Sequence, residues 1–490
     1  MPEEEIFRQR KDKLDRLRRE EGYDPFVNDH WDCSQTLNEI REKYEGLAVE
    51  ESSSDPLSTA GRVIAIRRHG KAAFLNLADE SGVVQLYFQE NELGGERYAF
   101  FKKWVDTGDI LGIKGCAFRT QRGELSVKVS EFALLSKALR PLPEKWHGLK
   151  DTEVRYRRRY VDLIANPDVR EVFRKRALIV KTFRKVVEDH GTIEVTTPIL
   201  STIAGGANAR PFVTHHNTLD IDMYLRIATE LHLKRLIVGM FRRVYEIGPI
   251  FRNEGMDTRH NPEFTTMELY WAYGSYHDMM DITEKIFVAC ADALGGRKIT
   301  YQGREIDLNP PFRRATMAEL VREKTGIDFI AVTDEEARNF ARERGVDAAN
   351  GASRYDILPM FFERFVEEQL IQPTFVIGHP TVVSPLAKRN RGNADITDRF
   401  ELFINGWEFA NAFSELNDPL DQRERFLDQA RRKDAGDEES HPFDEDFVNA
   451  LEYGMPPTGG LGVGIDRTVM LFTDSRSIRD VILFPTMKPL

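Results

Sequence analysis

FRNEGMDTRHNPEFTTMELYWAY, residues 251–273, decides how the rest of this chain is read. Charged and apolar residues alternate at both ends, and alternate side chains of a strand share a face. Arg252 and Glu254 therefore project together on the outward run, and Phe264, Thr266, Glu268 and Tyr270 on the return, with Arg259, His260 and Asn261 in the loop between. One face of this hairpin carries a guanidinium, an aromatic plane, two carboxylates and a phenol. Packing alone does not select such groups, because each unpaired buried charge is expensive. Two readings remain: an exposed charged hairpin, or a clamp for a nucleoside triphosphate and a cationic ligand. In the clamp, Arg takes phosphate through paired hydrogen bonds and Phe offers adenine a plane.

Two further stretches favour the clamp. TGGLGVGIDRTVMLFTDSRSIRDVILFP, residues 458–485, places Gly459, Gly460, Gly462 and Gly464 ahead of Arg467, which falls at an expected helix start. Glycines let a backbone lie close to a ligand. No GxxxxGK[ST] occurs and no βαβ unit surrounds these glycines, so neither a P-loop nor a dinucleotide fold fits. In RFELFINGWEFANAFSELNDP, residues 399–419, Asn405-Gly406 marks a tight hairpin turn. An ideal two-residue turn puts Glu401 and Glu408 on one face, where two carboxylates suit Mg²⁺ held jointly with substrate phosphates. It puts Asn411, Phe413 and Glu415 on the other. All five converge only if a bulge or longer turn intervenes, and such an irregularity is expected here.

Composition sets the outer limits. The chain has 490 residues, 41% hydrophobic and 10% aromatic, enough for two or three packed domains. With 69 basic against 80 acidic residues the net charge is -11, which excludes a globally basic nucleic-acid binder but not a local basic surface. Cys33, Cys116 and Cys290 stand far apart in no metal spacing, pointing to a reducing compartment. No apolar run spans a membrane, and the start MPEEEIFRQRKDKLDRLRREEG is charged with both signs, unlike a targeting peptide. A cytoplasmic protein is expected.

Along the chain, mixed charges around Leu14 and Leu17 give a helix with a solvated outer face. SSSDPLSTAG, residues 52–61, reads as a break. Five β-type segments follow, in RVIAIRRHG, AAFLNLAD, VVQLYF, DILGIKGCAFRT and LSVKVSEFALLS, as in a small barrel. RPLPEKWHGLKD, residues 140–151, is a linker. REVFRKRALIVKTFRKVVEDHG then has helical periodicity through Val172, Ala177, Val180, Phe183 and Val187, ending at Gly191. Helices are expected from about 315 to 370. His215 and His216 lack a third ligand and read as surface or hydrogen-bonded residues.

These residues resemble a known family. GTIEVTTPIL with Pro198, the opening hairpin, and GLGVGIDR are similar, in order, to the three signature motifs of class II aminoacyl-tRNA synthetases. RYRRRYVDLIANP, ARPFVTHHN, LRIATELHLKRLIVG, SPLAKRNRGN, FANAFSELNDP and LFPTMKP resemble the bacterial-type lysyl-tRNA synthetases in particular, and the likeness runs from about Leu14 to the C-terminus. The class I signatures HIGH and KMSKS are absent.

The resemblance implies an α+β chain: an antiparallel-sheet class II catalytic domain over residues 146–490, with a helical insertion near 315–370, preceded by an OB-fold anticodon-binding domain (55–145) and a helical segment (1–54). It implies a lysine–tRNA ligase activity serving protein synthesis, with ATP, L-lysine and tRNA(Lys) as substrates, Mg²⁺ as cofactor, and a homodimer built around the Pro198 segment. By resemblance, Arg252 holds the α-phosphate, Phe264 and Arg467 sandwich adenine, Glu254 contacts the adenine edge, and His260 and Asn261 hold the triphosphate or the base. Glu401 and Glu408 take Mg²⁺. Gly206, Glu230 and Asn411 hold the backbone end of lysine; Glu268, Tyr270 and Glu415, walled by Phe413, receive its side chain. Arg67, Phe74 and Gln85 read the anticodon, although Phe74 taken alone reads as barrel core. An ammonium taken out of water needs carboxylate partners, which Glu268 and Glu415 supply. The departures at His232 and Trp271 imply only local packing changes. Two alternatives accompany this reading: a paralogue that lysylates protein, against which the N-terminal barrel speaks, and a non-catalytic RNA-binding relative, against which the intact clamp speaks.

Overall fold

The computed structural model describes residues 3–143, 149–207, 209–434 and 443–489, which divide into two units, Met1–Lys150 and Asp151–Leu490. The expected linker at 140–151 lies partly outside the described residues.

The first unit opens with the helix Glu3–Glu20, whose three glutamates in the first turn and arginines 18 and 19 in the last complement its dipole. Leu14 and Leu17 are buried, as their spacing requires. Strands Leu57–His69, Ala72–Ala78, Val83–Gln89, Ile110–Arg119 and Leu125–Ser136 close into a barrel in the order first, second, third, fifth, fourth. Alternation decides what fills it: Ala73, Leu75 and Leu77 point inward, as do Val84, Leu86 and Phe88. The first strand begins at Leu57, inside the stretch that composition marked as a break. Pairing of Leu57 through Arg62 with the fourth strand outweighs the weak strand propensity of Ser, Ala and Gly there.

The second unit is built on an eight-stranded sheet. Its order across is Arg313–Thr316, Thr374–Ile377, Arg399–Ile404, Trp407–Ser414, Thr458–Gly464, Glu263–Ala272, Arg243–Phe251 and Ile193–Glu194. The pairs at the two outer edges are parallel and all the others antiparallel. Met267, Leu269, Leu461, Val463, Ala410 and Ala412 point to one face, where helices Pro167–Asp189, Tyr276–Ala293 and Ile465–Thr473 cover them. Burial of each large side chain in this layer, such as Phe183 or Phe287, contributes about 1.5–3 kcal/mol. In the first of these helices the buried residues are Val169, Ile179, Phe183 and Val187, while Ala177 is exposed. The larger Ile179 takes the core position that periodicity alone gave to Ala177.

The helical insertion consists of Met317–Thr325, Asp334–Arg344 and Arg354–Phe365. Each starts at a reciprocal cap, Thr316 with Glu319, Thr333 with Glu336 and Ser353 with Asp356, which satisfies the otherwise orphaned N-terminal amides. No described helix is long and apolar enough to cross a membrane.

Candidate active site

The face of the sheet opposite the helices is where side chains become polar. On the opening hairpin Glu246 pairs with Glu268, Gly248 with Thr266 and Ile250 with Phe264, so Phe264, Thr266, Glu268 and Tyr270 share this face. The strand Thr458–Gly464 lies beside them, with Gly460 between Tyr270 and Phe413, and Gly462 between Glu268 and Asn411. The glycines thus form a central strand of the sheet. They give the cleft a floor without side chains. A methyl group at Gly460 would come within 1.8 Å of Glu415 Oε1, whereas one at Gly462 would meet nothing closer than 3.8 Å, so position 462 keeps space free.

The hairpin around Asn405 and Gly406 contains the expected irregularity. Both turn residues have positive φ, 52° and 73°, and the register shifts between Leu402 and Phe403. Leu402 pairs with Ala410 but Phe403 with Glu408, which leaves Phe409 as the extra residue of a bulge. Glu401 consequently pairs with Asn411, and both carboxylates of this hairpin reach the same cleft as Asn411, Phe413 and Glu415.

The result is a cavity of about 550 Å³. Gly206, Glu230, Arg252, Glu254, His260, Asn261, Phe264, Glu268 and Tyr270 line it from one side; Glu401, Glu408, Asn411, Phe413, Glu415 and Arg467 line it from the other. Every candidate of the second unit is therefore at one place.

At one end of the cavity, the Arg252 guanidinium lies over the Phe264 ring, 5.2 Å from its centre, and its buried Nε has no acceptor. Burial lowers its proton affinity, partly offset by Glu254 and Glu408, but a guanidinium keeps its charge. A buried donor without a partner is costly, and this one belongs to a side chain that lines the cavity. Asn261 is in the same condition: Nδ2 donates to the Glu263 carbonyl at 2.6 Å while its buried Oδ1 is unpartnered. His260 and Glu254 are exposed; Asp257 holds His260 through its Nδ1 at 2.9 Å and its amide at 2.7 Å. Arg467 Nη1 donates to the Glu408 carbonyl at 2.8 Å. Its neighbour Asp466 accepts from the Thr265 amide at 2.6 Å and pairs with Arg176 at 2.5 Å, fastening the helix start to the hairpin. Burial and the Glu401 charge push the Glu408 carboxyl up, a disposition that a cation between them would relieve.

The other end is a carboxylate cluster. Glu268 accepts from the Thr229 amide at 3.1 Å, at the start of helix Glu230–Val238, and from the Tyr270 hydroxyl at 3.2 Å. Burial, then Glu230, pushes its carboxyl up to about 7. Burial also raises Glu415 well above the usual range.

Three participants were not singled out in the sequence. Lys234, fully buried, pairs with Glu230 at 2.5 Å and with Glu415. Arg399 spans Glu401 at 2.5 Å, Asn411 Oδ1 at 3.1 Å and Ser384 Oγ at 2.9 Å. Arg226 joins Glu246 at 2.5 Å and the Pro249 carbonyl at 2.9 Å beneath the hairpin. The signals were present for two of them: Lys234 follows Glu230 at the i,i+4 spacing of a helical ion pair, and Arg399 shares a strand face with Glu401.

On the barrel, Phe74 is not core. It points outward with Arg67 and Tyr87 as its cross-strand partners, its ring 5.0 Å from that of Tyr87, which is 5.6 Å from Phe118. Arg67 Nη2 donates to Gln85 Oε1 at 2.7 Å, and Gln85 Nε2 to Ser126 Oγ at 2.9 Å. Tyr87 and Phe118 extend the aromatic surface beyond the residues named from the sequence.

Comparison with known proteins agrees with this geometry. Residues 151–488 match the family described as class II tRNA synthetases (D, K and N), and residues 57–135 match the OB-fold nucleic acid binding domain. The chain is 53% identical over 487 residues to a lysine–tRNA ligase of Thermoanaerobacter pseudethanolicus, covering 99% of this chain and 96% of that protein. It is 54% identical over 487 residues to one of Syntrophomonas wolfei, with 99% and 97% covered. A lysine–tRNA ligase of Halalkalibacterium halodurans is 53% identical over 483 residues, with 98% and 96% covered.

Proposed function

We infer residue roles from one premise: the chain belongs to the class II tRNA synthetases, and within them to the lysine–tRNA ligases. It activates L-lysine with ATP, giving lysyl-adenylate and pyrophosphate, and transfers the lysyl group to the 3' end of tRNA(Lys). The observation that carries the assignment of roles is the cavity's two ends, one lined by the guanidinium of Arg252, whose buried Nε has no partner, and the other by three clustered carboxylates.

ATP lies at the Arg252 end in this reading. Arg252 holds the α-phosphate, Phe264 and Arg467 enclose adenine, and Glu254, His260 and Asn261 complete the nucleotide site. Lysine lies at the carboxylate end, its ammonium between Glu268 and Glu415 and donating to the Tyr270 hydroxyl, which itself donates to Glu268, with Phe413 as a wall and Gly206, Glu230 and Asn411 at its backbone end. The lysine carboxylate oxygen then attacks the α-phosphorus in line, the bond to the β-phosphate oxygen breaks, and pyrophosphate leaves with that electron pair. No side chain needs to form a covalent bond. The chain contributes position, and Arg252 and Arg467 stabilise the negative charge that develops.

Glu401 and Glu408 suit Mg²⁺, which takes one or two carboxylates and completes its shell with phosphate oxygens and water. The raised Glu408 carboxyl beside Glu401 supports that fit. Bound there with ATP, the ion would neutralise phosphate charge. Arg399, which already holds Glu401 and Asn411, orients one group for each substrate.

The same premise supports a division into a helical segment (1–54), an anticodon-binding barrel (55–145) and the catalytic domain (146–490). Arg67, Phe74 and Gln85 would contact the anticodon, by stacking and by reading a base edge. A homodimer is supported by apolar residues left exposed on the edge strand Ile193–Glu194 and along the segment that follows Pro198, which forms a separate three-stranded sheet: Ile193 (54%), Ile199, Leu200, Val213 (60%) and Leu219. Three free cysteines agree with a cytoplasmic location. The experiment for the pocket is amino-acid-dependent ATP–pyrophosphate exchange with each of the twenty amino acids, without tRNA. Exchange with lysine alone is expected; equal exchange with arginine or aspartate would overturn the two-carboxylate pocket.

A further inference from the structure

Lys234 lies behind the lysine end of the cavity, not in its wall, and no solvent reaches it. It is the second charged residue of the helix Glu230–Val238, one turn after Glu230, and its Nζ lies 2.5 Å from Glu230 Oε1. The same ammonium is in ion-pair contact with Glu415 Oε2. The rings of Phe413 and Phe447 flank it, with centres at 5.5 and 5.9 Å. Both oxygens of Glu415 are buried without a hydrogen-bond partner; Oε2 faces the ammonium, while Oε1 reaches so far over the glycine strand that only a glycine at 460 leaves it room.

The arrangement is unbalanced in charge. Glu230, Glu268 and Glu415 gather at this end of the cavity, and Lys234 is the cation that the described residues place among them. Glu415 is faced by Lys234 and Glu230 from the helix and by Glu268 and Tyr270 from the hairpin strand. Burial and the two neighbouring carboxylates favour its protonated form, and Lys234 opposes them. A protonated Glu415 has no charge with which to hold an ammonium. For Lys234 itself, burial opposes the charge, but Glu230 and Glu415 outweigh it and its proton affinity is raised.

We infer that Lys234 is a positioning residue for lysine recognition: by engaging Oε2 of Glu415 from behind, it keeps that carboxylate turned and charged, with Oε1 presented to the substrate ammonium. This rests on the pocket assignment above. The position is occupied by the substrate's own functional group, a primary ammonium, held by the chain against the far side of the same carboxylate.

The test is a cycle of three variants, Lys234→Met, Glu415→Gln and the double variant, read by lysine-dependent ATP–pyrophosphate exchange from pH 6 to 9. In Lys234→Met the KM for lysine at pH 7 is expected to rise on the order of a hundredfold, with the KM for ATP nearly unchanged. The sign of its pH dependence follows from Glu415. Without Lys234 its carboxyl ionises at higher pH, so the lost affinity returns as pH rises, and the profile lies a unit or more to the alkaline side of the parent's. A rise in KM equal at every pH, or none, would overturn the inference. Removing one buried partner strands the other's charge and can prevent folding, whereas the double variant removes both. Because Lys234 acts through Glu415, the double variant is expected to match Glu415→Gln in lysine KM within about twofold. A much higher KM in the double variant would overturn the inference. If Glu415→Gln leaves lysine KM unchanged, the pocket assignment itself fails; if it raises the KM while Lys234→Met does not, only the role of Lys234 fails.

Discussion

As a proposed recognition group, Glu268 shows how burial makes an ordinary carboxyl pH-sensitive. Its carboxyl is pushed up to about 7 by burial and then by the charge of Glu230. In the proposed pocket, lysine binding needs the ionised form. The KM for lysine should therefore be nearly flat above pH 7 and rise below it, approaching tenfold per pH unit, while the KM for ATP does not follow; a lysine KM constant from pH 6 to 8 would contradict the assignment. Gly462 separates space from packing in the same cavity. A methyl group there meets no protein atom within 3.8 Å, so Gly462→Ala should melt within a few degrees of the parent yet lose substrate affinity, and unaltered KM values would show that this floor is not where substrates lie. Single residues were the level at which the sequence was most legible, because carboxylates, guanidinium and aromatic planes announce their chemistry by type. What stayed hidden was pairing across elements. Glu415 and Lys234 are 181 positions apart in the chain, and only the fold sets the ammonium against that carboxylate.

At the scale of elements, the bulge at Phe409 was legible because two sets of side chains had to converge on one face and an ideal hairpin kept them apart. The glycine-rich strand was not. Four glycines in seven residues have poor strand propensity, and the strand exists because neighbours on both sides supply a complete ladder of hydrogen bonds. Helix periodicity found the long helix but put Ala177 in the core, where a small side chain one step from a larger one carries little weight. The Asn405-Gly406 turn can be tested by stability alone. Gly406 has a φ of 73° and an added methyl would come within 3.0 Å of the Glu368 backbone, so Gly406→Ala should cost about 1 kcal/mol or more in a urea titration, and an unchanged midpoint would contradict the strain.

For the whole molecule, activation and RNA recognition are assigned to different units, so either is expected to be lost while the other is kept, and charging needs both. The outer aromatic surface of the barrel carries Phe74 beside Tyr87 and is far in sequence from every residue of the cavity. Stacking on a base contributes about 1–3 kcal/mol, so Phe74→Ala should raise the KM for tRNA about 10- to 100-fold and leave lysine-dependent pyrophosphate exchange intact; equal loss of both would mean a folding defect. Sequence alone left Phe74 ambiguous, since AAFLNL alternates regardless of which set faces in, and only the closed barrel shows Ala73, Leu75 and Leu77 inside. The central claim remains that this cavity is where lysine meets ATP, with Arg252 as the group that receives the developing charge. Single-turnover formation of lysyl-adenylate by Arg252→Ala, compared with the parent enzyme at saturating lysine and ATP, tests it most directly. The account predicts a rate lower by about 10²–10³ in a variant that folds normally. A rate near that of the parent would contradict it.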